Sequence, residues 1–217
     1  MNDSYIGIRL DLLKFIEGSN LTVLDLGCAT GANGQYLKEN GLADHVIGVE
    51  FDTDMALLAE KNYDKVIVGD LEYKTTLNQL EALNLDFDII LCGDILEHLK
   101  NTESILLFLK KILSSEGKII VSLPNVRHIE TLIQLYFKKT WPRNDRGIFD
   151  RTHLRWFTKK DCEELFRSTG YHIDKYERTL RARDKIGSTF DWKLRLLSRL
   201  DKDLVTFQHR FVLSHEH

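Results

Sequence analysis

Between Leu21 and Leu123 short apolar runs alternate with stretches of helical spacing, and this alternation leaves the chain few folds to choose from. The runs are LTVLDL (21–26), HVIGVE (45–50), KVIVG (65–69), FDIILC (87–92) and KIIVSL (118–123). Each is rich in Val, Ile and Leu and nearly continuous in hydrophobicity, as strands covered on both faces must be. Helices are predicted near 32–40, 53–62, 74–83 and 102–114. Gly41 and Gly117 sit near the ends of two of them, where a left-handed cap or turn is needed. Strand, helix and strand repeated in this order predict a parallel sheet with helices on both faces.

The flanking segments read differently. Ile6, Leu10, Leu13 and Ile16 recur at helical spacing, and Gly18 is placed to stop that helix. Thr158 can cap a helix with Cys162, Leu165 and Phe166 on its apolar face and Gly170 at its end. Strand-like stretches follow at 171–179 and 204–213, separated by a basic segment. Pro124 and Pro142 are the only prolines, and no repeat, low-complexity tract or linker divides the chain. A length of 217 residues suffices to bury one substantial core, so residues 1–217 are read as a single domain.

Composition excludes several classes. A formal net charge of −3 gives no whole-molecule attraction to nucleic acid or to an anionic membrane. The apolar runs fall short of the roughly 18 residues of a membrane span. Asp3, Arg9, Asp11 and Lys14 interrupt the N-terminal apolar positions, against a signal peptide. Cys28, Cys92 and Cys162 are too few and too far apart for a CxxC zinc site or a disulfide framework. No metal site is expected, and the cytoplasm is the expected compartment.

The stretch Val23-Leu24-Asp25-Leu26-Gly27-Cys28-Ala29-Thr30-Gly31-Ala32-Asn33-Gly34 closes the first strand and opens a helix, the setting in which a glycine-rich turn carries meaning. Glycines there let a ligand approach the main chain, and the helix start offers unpaired N–H groups. Glu50 follows 19 residues after Gly31, at the end of the second strand, placed to accept hydrogen bonds from ribose hydroxyls. The glycines alone would also suit a plain tight turn; with Glu50 in register a ribose-containing ligand is favoured. A dinucleotide site wants G-x-G-x-x-G, whereas the spacing here is G-x-x-x-G-x-x-G, with Ala29 at the remaining small position. Asp25, Glu50, Asp70 and Asp94 fall at the C-terminal ends of successive strands. That acidic rim suits a cationic ligand better than a pyrophosphate.

VLDLGCATGANG resembles the first motif of class I S-adenosylmethionine-dependent methyltransferases, often written DLGCGTG, with Ala29 in place of the middle glycine. VIGVEFD, GDLE (69–72) and FDIILCGDILEHL (87–99) resemble the second, third and fourth motifs, in the right order. The resemblance covers residues 20–125, read as the cofactor half, with 1–18 and 126–203 as acceptor and lid elements. It implies an α/β fold: a Rossmann-like, doubly wound, mostly parallel seven-stranded sheet with an antiparallel last strand and helices on both faces. It implies S-adenosylmethionine as cofactor and S-adenosylhomocysteine as product. Carried over by motif, Asp25, Gly27, Cys28, Ala29, Gly31 and Gly34 form the cofactor loop. Glu50 takes the ribose, Phe51 neighbours the adenine, Asp70 meets the adenine amino group and Leu71 lies against the ring. The backbone near Cys92 and Gly93 faces the methionine moiety, with Asp94 beside it on the rim. Plainer alternatives are ordinary packing for Phe51 and a helix N-cap for Asp70. Tyr5 and Arg9 are placed to close over the cofactor carboxylate, though a solvated helix face would also account for Arg9. An NAD(P)-dependent oxidoreductase and a non-catalytic S-adenosylmethionine-binding protein stand as the alternative functions.

Residues 140–158, TWPRNDRGIFDRTHLRWFT, combine bulky aromatics with charges and lack a clear period, which predicts a lid or acceptor wall above the cofactor edge. FDRTHLRWFT also resembles a sequence recurrent in bacterial methyltransferases encoded with polysaccharide and small-molecule biosynthesis enzymes. This implies a small-molecule acceptor, sugar or lipid-linked acceptors among them, with oxygen as the favoured atom. A hydroxyl acceptor must lose a proton, and a neutral imidazole suits that near pH 7. His153 is the first choice and His98 the second; bracing the lid or packing are the plainer roles. Asp150, Arg151 and Arg155 either bind acceptor polar groups or pair with one another. Residues 178–203 hold eight Lys/Arg against four Asp, interleaved with Phe190, Trp192, Leu194, Leu197 and Leu200. Docking of that stripe on its own domain or on a homodimer mate is expected ahead of membrane contact. Nucleic acid is not an expected partner, because CGDILEHL lacks the Asn/Asp-Pro-Pro-aromatic signature of amino-directed enzymes.

Overall fold

In the first strand, β1 (Leu21–Leu26), Leu24 and Leu26 enter one core layer and Val23 the other, so both faces of the ribbon are apolar. The chain is described here from a computed structural model, over residues 7–181 and 192–216. After β1 come β2 (Ala43–Glu50), β3 (Lys65–Val68), β4 (Phe87–Gly93), β5 (Leu113–Pro124), β6 (Tyr171–Leu180) and β7 (Thr206–His215). They form one sheet in the order β3-β2-β1-β4-β5-β7-β6. β1 to β5 pair in parallel, and β7 runs antiparallel between β5 and β6. The strand order reverses between β1 and β4, and the crevice at such a point is where open α/β sheets bind ligands.

The helices are α1 (Leu10–Leu13), α2 (Ala32–Glu39), α3 (Thr53–Ala59), α4 (Lys74–Glu81), α5 (Thr102–Ile112), α6 (Ile129–Leu132), α7 (Lys159–Ser168) and α8 (Trp192–Leu200). Leu80, Leu109 and Phe166 bring α4, α5 and α7 onto the face that holds Leu24 and Leu26. Leu12, Leu37 and Ala59 bring α1, α2 and α3 onto the other. Each fully buried Leu or Phe contributes roughly 1.5–3 kcal/mol, so these two layers hold the sheet. Local signals agree with the packing: Asn101 caps α5 by accepting from Ser104 N, and Thr158 and Asp161 form a reciprocal capping box on α7. No helix among the described residues is long and apolar enough to cross a membrane.

Several boundaries differ from expectation. α5 stops at Ile112 and β5 begins at once with Leu113, which pairs with Phe87 before the register shifts to Ile89–Lys118. Gly117 therefore lies inside a strand, where an added Cβ would stand 2.8 Å from the Phe87 carbonyl oxygen. The N-terminal helix is a single turn: Leu12, Leu13, Phe15 and Ile16 are buried, while Leu10 is exposed and Ile6 lies outside the described residues. A helical stretch over α6 and a π turn at Ile133–Phe137 was not expected. Trp192 and Leu200 of α8 are 70% and 81% exposed. Phe190 lies outside the described residues.

Candidate active site

The turn after β1 is shaped by backbone geometry. Gly27 (φ 70°), Ala29 (φ 47°) and Gly31 (φ 87°) all take left-handed conformations. A Cβ at Gly31 would stand 2.9 Å from the Ala59 Cα, and one at Gly27 would strike the Ile95 side chain. Gly34 serves packing, since its Cβ would fall 2.4 Å from the Tyr63 ring. The Tyr63 hydroxyl donates to Asp25 at 2.7 Å, and Asn33 Nδ2 donates to the same oxygen at 3.2 Å. Burial pushes the Asp25 carboxyl up to about 6, against the pull of those two bonds.

Glu50, at the end of β2, accepts from Ala29 N at 2.8 Å and from Asp52 N at 2.9 Å, tying the glycine turn to the next strand. Phe51 is 73% exposed beside it, which removes ordinary packing as its explanation. Asp70 accepts from Glu72 N at 2.9 Å in a turn of its own; α4 begins after Tyr73, so Asp70 is not its N-cap. Leu71 is buried in the first core layer, as is Cys92; Cys28 is buried in the second.

At the exit of β4, Asp94 (φ 58°) is fully partnered. Its carboxylate accepts from Arg9 Nη1 at 2.8 Å, Ser122 Oγ at 2.7 Å and Gln208 Nε2 at 2.8 Å. Arg9 also pairs with Asp11 at 2.9 Å, and its backbone N donates to Asn33 Oδ1 at 2.9 Å. Arg9 is thus a clamp and no solvated helix face. A Cβ at Gly93 would lie 3.0 Å from Leu12 and 3.3 Å from Arg9, so the α1 segment covers this exit. Tyr5 lies outside the described residues.

The segment expected as a lid is stitched to the same exit. Leu154 N and Arg155 N donate to the Glu97 carbonyl at 2.9 and 3.1 Å, and Val126 N donates to the Phe157 carbonyl at 3.0 Å. Ile148 and Phe149 anchor it in a small core with Phe207. His153 is thereby buried, with its ring 4.7 Å from that of His98 in an edge-to-face contact and its Nε2 3.8 Å from Glu97 Oε1. His98 Nδ1 lies 3.1 Å from Thr152 Oγ, which donates to Asp150. Desolvation pushes the His153 imidazole down to about 4, lowers that of His98, and holds the Glu97 carboxyl well above the usual carboxylate range. Arg151 pairs with Asp145 at 2.6 Å and Arg155 donates to the Lys100 carbonyl, so these charges are engaged within the lid and its base, not with one another.

Glu97 was not anticipated from the sequence. The available signal was a carboxylate set between Leu96 and Leu99, where a turn of helix buries it. Donor atoms of Glu97, His98 and His153 lie within 4.8 Å of one another. Linear spacing hid this because His153 arrives from the lid.

A seven-stranded sheet of this order, with a glycine turn at its switch point and carboxylates along its rim, defines a class I methyltransferase that uses S-adenosylmethionine. The chain belongs to the family of methyltransferase domains, which matches residues 4–176. It is 27% identical over 171 residues to a ubiquinone biosynthesis O-methyltransferase of Glaesserella parasuis, covering 70% of this chain and 69% of the relative. With the mitochondrial ubiquinone biosynthesis O-methyltransferase of Candida albicans it shares 30% over 116 residues, 52% of this chain and 35% of that one. Solved structures share the fold. An S-adenosylmethionine-dependent methyltransferase from Archaeoglobus fulgidus has a TM-score of 0.64 at 21% identity, covering 94% of this chain and 90% of its own. A magnesium protoporphyrin IX methyltransferase from Synechocystis with bound S-adenosylhomocysteine has 0.59 at 16%, covering 95% and 78%. The family decides against the nicotinamide-nucleotide and non-catalytic alternatives.

Proposed function

We propose that this enzyme transfers the S-adenosylmethionine methyl group to a hydroxyl oxygen of a small molecule. The observation that carries the reading is the edge-to-face pair of half-buried His98 and buried His153, held by the lid beside the exit of β4. The printed names of the ubiquinone-biosynthesis relatives, both O-methyltransferases, support oxygen as the acceptor atom. In this reading the turn from Gly27 to Gly34 seats the cofactor, Glu50 the ribose, Phe51 and Leu71 the adenine faces and Asp70 its amino group. Cys92, Gly93 and Asp94 border the methionine end, with Arg9 toward its carboxylate. Methyl transfer is an in-line displacement, so alignment of the two reactants supplies most of the acceleration. The acceptor O–H proton passes to His153, the oxygen bonds the methyl carbon, and the C–S electron pair returns to sulfur to leave S-adenosylhomocysteine. The lowered imidazole pKa keeps His153 unprotonated at neutral pH. We place the enzyme in the cytoplasm, a reading supported by three buried free thiols.

The test is a screen with methyl-labelled S-adenosylmethionine against phenolic, sugar and lipid-linked hydroxyl acceptors. Label recovered as a methyl ether from one class supports the reading and names the class. Label found only on nitrogen or carbon acceptors overturns it.

A further inference from the structure

We propose that Glu97, His98 and His153 form a binding site for a divalent cation beside the exit of β4. Each offers one donor, and the three donors lie within 4.8 Å of one another. His153 Nε2 stands 3.8 Å from Glu97 Oε1. Two ligands of a tetrahedral ion at ~2.1 Å are about 3.4 Å apart, so modest side-chain rotations close the cage. Glu97 lifts the trio above mere proximity. It is 1% exposed, and neither carboxylate oxygen has a hydrogen-bond partner. A buried polar group left without a partner is destabilising, more so when charged. A cation is the partner that removes this cost. Neighbouring Asp94 has no such need, its oxygens being taken by Arg9, Ser122 and Gln208.

The imidazoles are held as ligating histidines are held, by a contact outside the cage. The Thr152 hydroxyl, itself donating to Asp150, anchors the His98 ring, and a backbone hydrogen bond to Ile148 anchors His153. Two imidazoles with one carboxylate form the donor set of catalytic zinc centres that keep a position open. Imidazole donors favour Zn2+, Mn2+ or Co2+ over Mg2+. With an ion bound, both histidines are ligands, and the base role assigned above passes to solvent. The positive charge lowers the pKa of an acceptor hydroxyl drawn to it, and the O–H proton leaves to water before the oxygen attacks the methyl carbon. That use of the ion rests on the O-methyl-transfer reading; its binding does not.

Chelator-treated protein is titrated calorimetrically with Zn2+, Mn2+ and Mg2+ in turn, and with Co2+ followed by visible absorption. The expected result is one equivalent bound at micromolar Kd or tighter, with Zn2+ and Mn2+ ahead of Mg2+. Glu97→Gln, His98→Ala and His153→Ala should each weaken it at least 30-fold while S-adenosylhomocysteine affinity stays within twofold. Having three variants keeps the test open if one fails to fold. Failure of the parent protein to bind all four ions overturns the site, as does unchanged affinity in the folded variants. Failure of the O-methyl reading would show separately, as missing or misplaced label in the acceptor screen, since the titration needs no acceptor.

Discussion

The two sides of the active-site crevice are made of different material. On the β1–β2 side the proposed ligand wall is main chain: left-handed residues at the alternate positions 27, 29 and 31, a helix start, and Glu50 bonded to loop amides. On the β4 side it is side chain, with Glu97, His98 and His153 gathered from the strand exit and the lid. Backbone walls tolerate little change in shape and much in chemistry. Side-chain walls behave the other way. Damage to the first side should therefore appear in cofactor affinity and stability together, and damage to the second in turnover alone.

The sharpest way to break this contrast is Gly31→Arg. At φ 87°, with the Ala59 backbone 2.9 Å from its Cβ, it should weaken S-adenosylhomocysteine binding at least 100-fold and lower the thermal midpoint. Unchanged affinity in calorimetry would remove the site assignment. His153→Ala should slow turnover about 100-fold with cofactor affinity within twofold, and an equal loss in both would make it structural.

The two sides also hold buried acids and bases of opposite sign. Asp25, raised to about 6, contributes stability that is present below its unfolded value near 3.8 and lost as pH rises through 6. His209 in β7 is lowered to about 4 by burial, with Asp203, Arg178 and Lys159 around it and Tyr176 on its Nδ1. Its contribution is present above 6.5 and lost as pH falls through 4. Each is on the order of 3 kcal/mol. Denaturant midpoints across pH 4–7 should show Asp25→Asn gaining on the parent toward pH 7 and His209→Phe gaining toward pH 4; parallel curves would refute both. Asp70→Ala should cost about tenfold in cofactor affinity. Phe51→Ala should cost least, about fivefold, with no change in melting, because an exposed ring can stack on a ligand without supporting the core.

Much of the first side was legible because its determinants are local. Hydrophobic runs mark strands buried on both faces, and the glycine spacing marks a turn that only small residues can make. Glu50 is read from register alone. The second side was legible only in part. His98 and His153 could be named, but nothing in LEHL says that the Glu97 carboxylate is sealed without a donor. That is a tertiary fact, produced when residues 148–157 fold over it. The early start of β5 is similar, since Leu113 becomes a strand residue through its pairing with Phe87. The sequence makes Arg9 a candidate for the cofactor carboxylate, while its bonds to Asp94 and Ser122 depend on strands far along the chain.

Asp94 draws its three side-chain partners from residues 9, 122 and 208. A ribosome delivers these in sequence, so the full set of bonds to Asp94 waits for β7 to take its place between β5 and β6. A nascent chain stopped after β6 would carry the glycine turn and its carboxylates yet lack Gln208 at the β4 exit.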